Sequence, residues 1–254
     1  MTRDFPGTAA AGVAASGAAV PGADASGGAT ATAAATAATA ATTTAAAADA
    51  PRQVVIATNN AHKLVEIERI LAPCGWEFHT LSEFGDFPEP VEDADSFEGN
   101  ARIKAAAALA RTGLAAIADD SGLQVDALGG RPGVWSSRYA GEDASDADNN
   151  AKLLSEMEGV PDEKRTARFT STVVLLFPDG CELVASGSCE GRIACAPRGE
   201  NGFGYDPLFI SDALGGLTTA EAAPSQKDAI SHRGRALQGL LEKAREACPD
   251  GEEW

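Results

Sequence analysis

The hydrophobic period changes within the segment QVVIATNNAHKLVEIERILAPCG. Val54 to Ile56 form a β-branched run, whereas Leu64, Ile67, Ile70 and Leu71 recur at helical spacing after the polar Thr58-Asn59-Asn60. The pattern predicts a strand, a tight turn and a helix. A helix N-terminus carries unpaired backbone N–H groups that favour an anion. Lys63 lies in that first turn, so Thr58, Asn59, Asn60, Ala61, His62 and Lys63 form a candidate phosphate loop, although it lacks the Gly-Lys-Ser/Thr of a P-loop.

The next periodic block, DADSFEGNARIKAAAALARTG, is Ala-rich and predicts a helix with Asp95 or Ser96 as N-cap and Glu98 closing a capping box from Asp95. Asn100 and Lys104 share one face, an arrangement that usually marks a solvated surface. Ala115 to Ala118 predict a short buried strand that delivers Asp119 and Asp120 just before Ser121-Gly122. Paired aspartates suit a solvated strand end or a cap, but strand ends of a doubly wound sheet also open onto the ligand crevice. Further on, TARFTSTVVLLFPDGCELVASGSCEGRI reads as an antiparallel hairpin turning at Pro178-Asp179-Gly180, which makes the sheet mixed and the fold class α/β. NGFGYDPLFI supplies glycines for close backbone approach. A last helix is expected from about Lys227 to Ala247, with Ile230, Leu237, Leu240, Leu241 and Ala244 on its core side and His232 and Arg233 in its first turns.

Composition divides the chain. Within its 254 residues, the first fifty positions are almost entirely Ala, Thr, Gly, Ser, Val and Pro. Such a segment buries too little apolar surface to offset backbone entropy, so residues 1–51 are expected to be a disordered extension. Early Asp4 and Pro6 and the lack of a Leu-rich centre argue against a secretion signal. No window is long and apolar enough for a bilayer, so a soluble protein without a membrane partner is expected. Residues 52–248 suffice for one folded domain, followed by a short acidic tail, 249–254. The 5 cysteines, odd in number and without metal-ligand spacing, fit a reduced cytoplasmic setting. A net charge of -17 argues against a nucleic-acid partner, but leaves open a small nucleotide met by a few lysines and a divalent cation.

The ordered set ATNNAHK, SFEGNARIKA, ADDSGL, GRPGVWSSRYAG, GFGYDP and ISHRGRAL closely resembles the inosine triphosphate pyrophosphatase family, the Ham1-like hydrolases of non-standard purine nucleoside triphosphates, over about residues 53–246. The resemblance implies an elongated mixed β-sheet flanked by helices, with a substrate cleft between two lobes. It also implies a homodimer, Mg²⁺ as cofactor, and cleavage of dITP, ITP or XTP between the α and β phosphates into monophosphate and pyrophosphate. Thr58 to Lys63 then correspond to the phosphate-side loop, Glu92 to a metal-side carboxylate, and Asp120 to the general base and metal ligand, with Asp119 in support or as a further metal ligand. Ser121, Phe203, Gly204, Tyr205, Asp206, Lys227, His232 and Arg233 correspond to substrate contacts. Two positions depart from the family pattern: Gly99 stands where a glutamate is usual, and Gln226 where a glutamate commonly precedes the lysine. A Maf-like pyrophosphatase of other specificity and a nucleotide-binding sensor impaired in catalysis are the alternatives. ISHRGRAL and FGYDP count against the former, and Gly99 makes the latter conceivable.

Overall fold

The strand predicted at the start of the domain forms as β1 (Gln53–Ile56) and leads through Thr58–Asn60 into helix α1 (Ala61–Leu71). The computed structural model describes residues 51–86 and 88–247, all within one compact unit. The acidic tail lies outside the described residues, as does all but the last residue of the expected N-terminal extension. After α1 come β2 (Glu77–Thr80), α2 (Phe97–Thr112), β3 (Ala115–Val125), α3 (Asp146–Glu156), β4 (Thr166–Leu176), β5 (Glu182–Ile193), β6 (Phe209–Ser211), α4 (Pro224–Ile230) and α5 (His232–Ala247).

The 6 strands form one mixed sheet in the order β2-β1-β3-β4-β5-β6. β1 runs parallel to β2 and β3, while β3 to β6 pair antiparallel. Successive strand residues point to opposite faces, and both faces of the central strands are covered. Val54, Ile56, Ile117, Val173 and Leu175 pack with Ile67 and Leu71 of α1 and Leu237 and Leu240 of α5. The intervening Val55, Ala116, Ala118 and Val174 pack with Ala101, Ala105 and Ala108, whose small side chains let α2 lie close to the sheet. A third cluster, built around Leu123, Leu153, Met157, Leu208 and Phe209, fills the far end of the long strands. Among the described residues, no helix is long and apolar enough to cross a membrane.

Three local expectations change. β3 does not stop at Ala118: it continues through both aspartates to Val125, with Asp119 opposite Val173, Asp120 opposite Thr172 and Gly122 opposite Thr170. Pairing with β4 overrides the turn chemistry of Asp-Ser-Gly. Gly122 serves close packing instead of a turn, since a Cβ there would lie 2.4 Å from the Gly133 carbonyl oxygen. The final helix is two helices separated by Ser231, which is extended (ψ 156) and whose Oγ accepts the Gly234 N–H at 3.0 Å. At the start of α2, Ser96 alone is the N-cap, and Glu98 instead pairs with Arg102 at 2.7 Å.

Candidate active site

Since Asp119 and Asp120 lie mid-strand, the two-residue period turns their side chains to opposite faces of the sheet. Asp119 shares the parity of Ile117 and points toward α1 and α5. Its carboxylate meets Lys63 Nζ at 2.9 Å and Arg233 Nη2 at 3.0 Å, and also accepts from Ser121 Oγ at 3.1 Å and from Ser171 Oγ. Burial pushes this carboxyl up, but Arg233 and Lys63 outweigh it and hold Asp119 well below the usual aspartate range.

The pairing continues away from Asp119. Arg233 also donates to Glu66 of α1, Glu66 accepts from Lys227 Nζ at 2.8 Å, and Lys227 reaches Asp206 at 2.6 Å. Asp206, Lys227, Glu66, Arg233, Asp119 and Lys63 thus form a chain of alternating charge that sums to zero. Isolated buried charges are costly, and such alternation is the arrangement that lets them stay inside. Arg233 Nε has no acceptor among the described residues.

Asp120 shares the parity of Ala118 and faces α2. Lys104 Nζ bridges it, at 3.0 Å, to Glu92 at 2.9 Å, while Asn100 Nδ2 approaches it at 3.3 Å. Here the sequence misleads: Asn100 and Lys104 line the sheet-facing side of α2, and Asn100 is 1% exposed. Burial raises the Asp120 pKa, and the nearby ammoniums of Lys104 and Lys63 offset only part of that. Lys104 is itself held above its ordinary value, since Asp120 and Glu92 overcome its desolvation. Among the described residues, no group of three or more His, Cys, Asp or Glu converges. Two carboxylates that already converge on one cation nonetheless suit Mg²⁺, which takes one or two protein carboxylates and completes its shell with phosphate oxygens and water.

A cavity of about 420 Å³ opens between these groups and is lined by Thr58, Asn59, Asn60, Lys63, Asp120, Ser121, the Phe203–Asp206 loop, Lys227, His232 and Arg233, together with Glu92 and Lys104. Ala61, His62 and Asp119 do not line it. In the loop after β1, Asn60 Oδ1 caps α1 by accepting from His62 N (2.9 Å) and Lys63 N (3.1 Å), and Asn60 N donates to Thr58 Oγ1 at 3.1 Å. Those three amides are therefore engaged within the loop, and the cations facing the cavity are side chains, most of them already paired with carboxylates. His62 supports the cavity indirectly, stacked on Phe203 with ring centroids 5.2 Å apart.

The Phe203–Asp206 loop is held from behind. Asp206 accepts from Phe203 N at 2.9 Å and Thr219 Oγ1 at 2.8 Å, and the Tyr205 hydroxyl donates to the Ser136 carbonyl at 2.9 Å. Glycine at 202 is required, since its φ is +77 and a Cβ would lie 2.0 Å from Asp206 Oδ2. Lys227 Nζ lies 4.7 Å from the Phe203 ring centroid. On another wall His232 stacks on Phe169 (4.8 Å, 13°), and burial, followed by the Arg233 charge, drives its pKa well below the usual value, leaving a neutral imidazole with one donor and one acceptor.

Both departures from the family pattern have local explanations. A Cβ on Gly99 would lie 2.5 Å from that of Ala94, so this turn has no room for a side chain, and Glu98 faces outward and does not replace it. Gln226 Oε1 accepts the Ala223 N–H at 3.0 Å and closes the first turn of α4, leaving Lys227 in place. Sequence reasoning missed Glu66, Lys104, Asn100 and Phe169 as site residues. Glu66 had a signal: it lies three positions after Lys63 and beside Ile67, within the helical stripe that faces the sheet.

Residues 54–243 match the Ham1 family. A dITP/XTP pyrophosphatase of Corynebacterium glutamicum is 50% identical over 197 residues, spanning 75% of this chain and 96% of the relative. One of Lactiplantibacillus plantarum is 53% identical over 193 residues, 76% of this chain and 95% of the relative. The solved structure of a Ham1 protein from Coxiella burnetii superposes with a TM-score of 0.70 at 42% identity, covering 77% of this chain and 99% of that one. With the match spanning nearly all described residues and every strand of the sheet, the chain belongs to the Ham1 family.

Proposed function

We propose that this protein is a Mg²⁺-dependent nucleoside triphosphate pyrophosphatase that hydrolyses non-standard purine nucleotides of the dITP, ITP and XTP type to the monophosphate and pyrophosphate. The observation that carries this reading is the back-to-back use of Asp119 and Asp120. One neutralises the cations that face substrate, and the other meets Glu92 on the opposite face, where the Asp120, Glu92 and Lys104 charges sum to one negative. Relatives named dITP/XTP pyrophosphatase give the substrate class.

In this reading Asp120 and Glu92 hold the metal, which supplies charge neutralisation on the phosphate oxygens and orients the triphosphate. Asp120 takes the proton of the attacking water as general base. Lys63 and Lys227 approach phosphate oxygens as point charges. Asp119, with its oxygens engaged by Lys63, Arg233, Ser121 and Ser171, is assigned a positioning role and no metal. Asp206 and Tyr205 position the Phe203 ring, and that ring on one wall and the stacked Phe169–His232 pair on another offer apolar surface to a base. The homodimer and the cytoplasmic setting belong to the same proposal, and sedimentation tests the former.

The test is a substrate panel of dITP, XTP, ITP, dUTP, ATP and GTP with and without Mg²⁺, products resolved as monophosphate and pyrophosphate. Selective, Mg²⁺-dependent pyrophosphate release from the first three is expected. Binding without turnover would favour an impaired sensor, and turnover of pyrimidine or standard nucleotides a Maf-like specificity.

A further inference from the structure

Five cations line the cavity or its metal side, and four are already engaged by buried carboxylates, with the half-buried Glu92 as a second partner in one case: Lys63 by Asp119, Lys104 by Asp120 and Glu92, Lys227 by Glu66 and Asp206, and Arg233 by Glu66 and Asp119. Arg138 is the exception. Its nearest carboxylate is Glu142, at 3.8 Å from Nε and 83% exposed. Otherwise the guanidinium rests on the Trp135 ring at 4.5 Å and donates from Nη2 to the Glu92 backbone carbonyl at a long 3.3 Å. An exposed ion pair and a stack on an exposed ring are weak restraints.

The backbone that carries Arg138 is fixed. The Ser136 carbonyl accepts from Tyr205 and the Ser137 carbonyl from Asn149 Nδ2 at 3.0 Å. On the other side, Lys152 Nζ donates to the Tyr139 carbonyl at 2.6 Å and Ala140 N donates to Asn149 Oδ1 at 2.8 Å. A rigid base with a loosely held planar cation suits capture of an incoming oxyanion, because the side chain can leave Trp135 without stranding a buried carboxylate. A magnesium triphosphate brings net negative charge to a metal side that is already negative, and the guanidinium fork matches phosphate oxygens.

We propose that Arg138 binds the pyrophosphate end of the substrate, on the Glu92 side of the cavity, and holds the departing pyrophosphate through the reaction. This rests on the pyrophosphatase reading above, and binding measurements separate the two. Calorimetric titration of the full chain with inorganic pyrophosphate and, separately, with dIMP is compared for the unaltered protein, Arg138→Ala and Arg138→Lys, all in Mg²⁺. The alanine variant is expected to weaken pyrophosphate by about tenfold or more while leaving dIMP within about twofold, with lysine intermediate because it keeps the charge and loses the fork. Thermal unfolding should be nearly unchanged. Equal pyrophosphate affinity in all three proteins, no measurable pyrophosphate binding by the unaltered one, or parallel loss of both ligands with a lowered Tm would overturn the assignment. Failure of the unaltered protein to turn over dITP would instead count against the pyrophosphatase reading, while Arg138-dependent pyrophosphate binding would still stand.

Discussion

Asp119 and Asp120 are neighbours in sequence, yet their carboxylates lie on opposite faces of β3, one ion-paired to Lys63 and Arg233, the other to Lys104. The same substitution should therefore have different consequences at the two positions. Asp120→Asn removes charge from a group reached by the cavity and keeps the side-chain shape, so the fold should persist and turnover of dITP should fall by about 10² or more. Asp119→Asn strips a counter-charge from two buried cations and should cost roughly 3–5 kcal/mol of stability. Denaturant unfolding beside steady-state kinetics distinguishes them; equal loss of stability in both variants would contradict the division.

The course of β3 also shows what the sequence could disclose. The change of period from β1 to α1, the Ala-rich α2 and the hairpin at Pro178-Asp179-Gly180 were legible because each is a local pattern. The length of β3 was not, because Ser121-Gly122 reads as a turn in isolation and becomes strand only through pairing with β4. Lys104 was hidden for a related reason. Helical spacing places it beside Asn100, but only the position of α2 over the sheet turns that face toward Asp120. The split between α4 and α5 depends on one extended serine that interrupts no apolar periodicity.

Acidification should destabilise the protein in two stages. His232, with a pKa held well below 6.5, is neutral when folded but takes a proton when unfolded, so its contribution is present above pH 6.5 and is lost as pH falls toward its folded value. Asp119 and Glu66 are lowered from 3.8 and 4.5, and their contribution is present above those values and is lost below them. His232→Gln should flatten the first stage and leave the second. Tm measured against pH from 7.5 to about 3 tests this; an unchanged slope just below pH 6.5 in the variant would show that His232 is not its source.

Restoring the family's glutamate at position 99 should not help. Ala94 is held by its N–H to Asn100 Oδ1 at 3.0 Å, and the new Cβ would press on it at 2.5 Å. Gly99→Glu is expected to lose about 1–3 kcal/mol, as overpacked sites do, without a gain in kcat. A stable variant with faster turnover would mean that the missing carboxylate limits this enzyme.

Removal of residues 1–50 should leave turnover of dITP nearly unchanged, since that segment is poor in large apolar residues and the family match begins at residue 54. A several-fold loss in kcat/KM on truncation would assign it a part in the site.

Base selection should pass through Arg233. Hypoxanthine offers a 6-oxo acceptor where adenine offers an amino donor, and a guanidinium can only donate. Of its five N–H donors, one on Nη1 goes to Glu66 and those on Nη2 go to Asp119 and Ser121, while the buried Nε has no acceptor among the described residues, so Nε and the second Nη1 hydrogen are left for a ligand. A donor meeting an adenine amino group stays unpaired at a cost of about 1–3 kcal/mol, and a second mismatch at His232 would bring the preference for ITP over ATP to roughly 10²-fold. Guanine shares the 6-oxo group, so its rejection has to come from the shape of the pocket or from its 2-amino group. Arg233→Ala should lower kcat/KM for ITP far more than for ATP, but it also leaves Glu66 and Asp119 with one cation fewer and risks the fold. Arg233→Lys keeps a charge between those carboxylates and removes the Nε donor with its fork. That variant should narrow the ITP-to-ATP ratio by about tenfold, the worth of one lost hydrogen bond, with Tm nearly retained. If kcat/KM fell equally for both nucleotides, Arg233 would serve only to position Glu66 and Asp119, and telling the two bases apart would fall to other polar groups of the cavity such as His232 and Lys227.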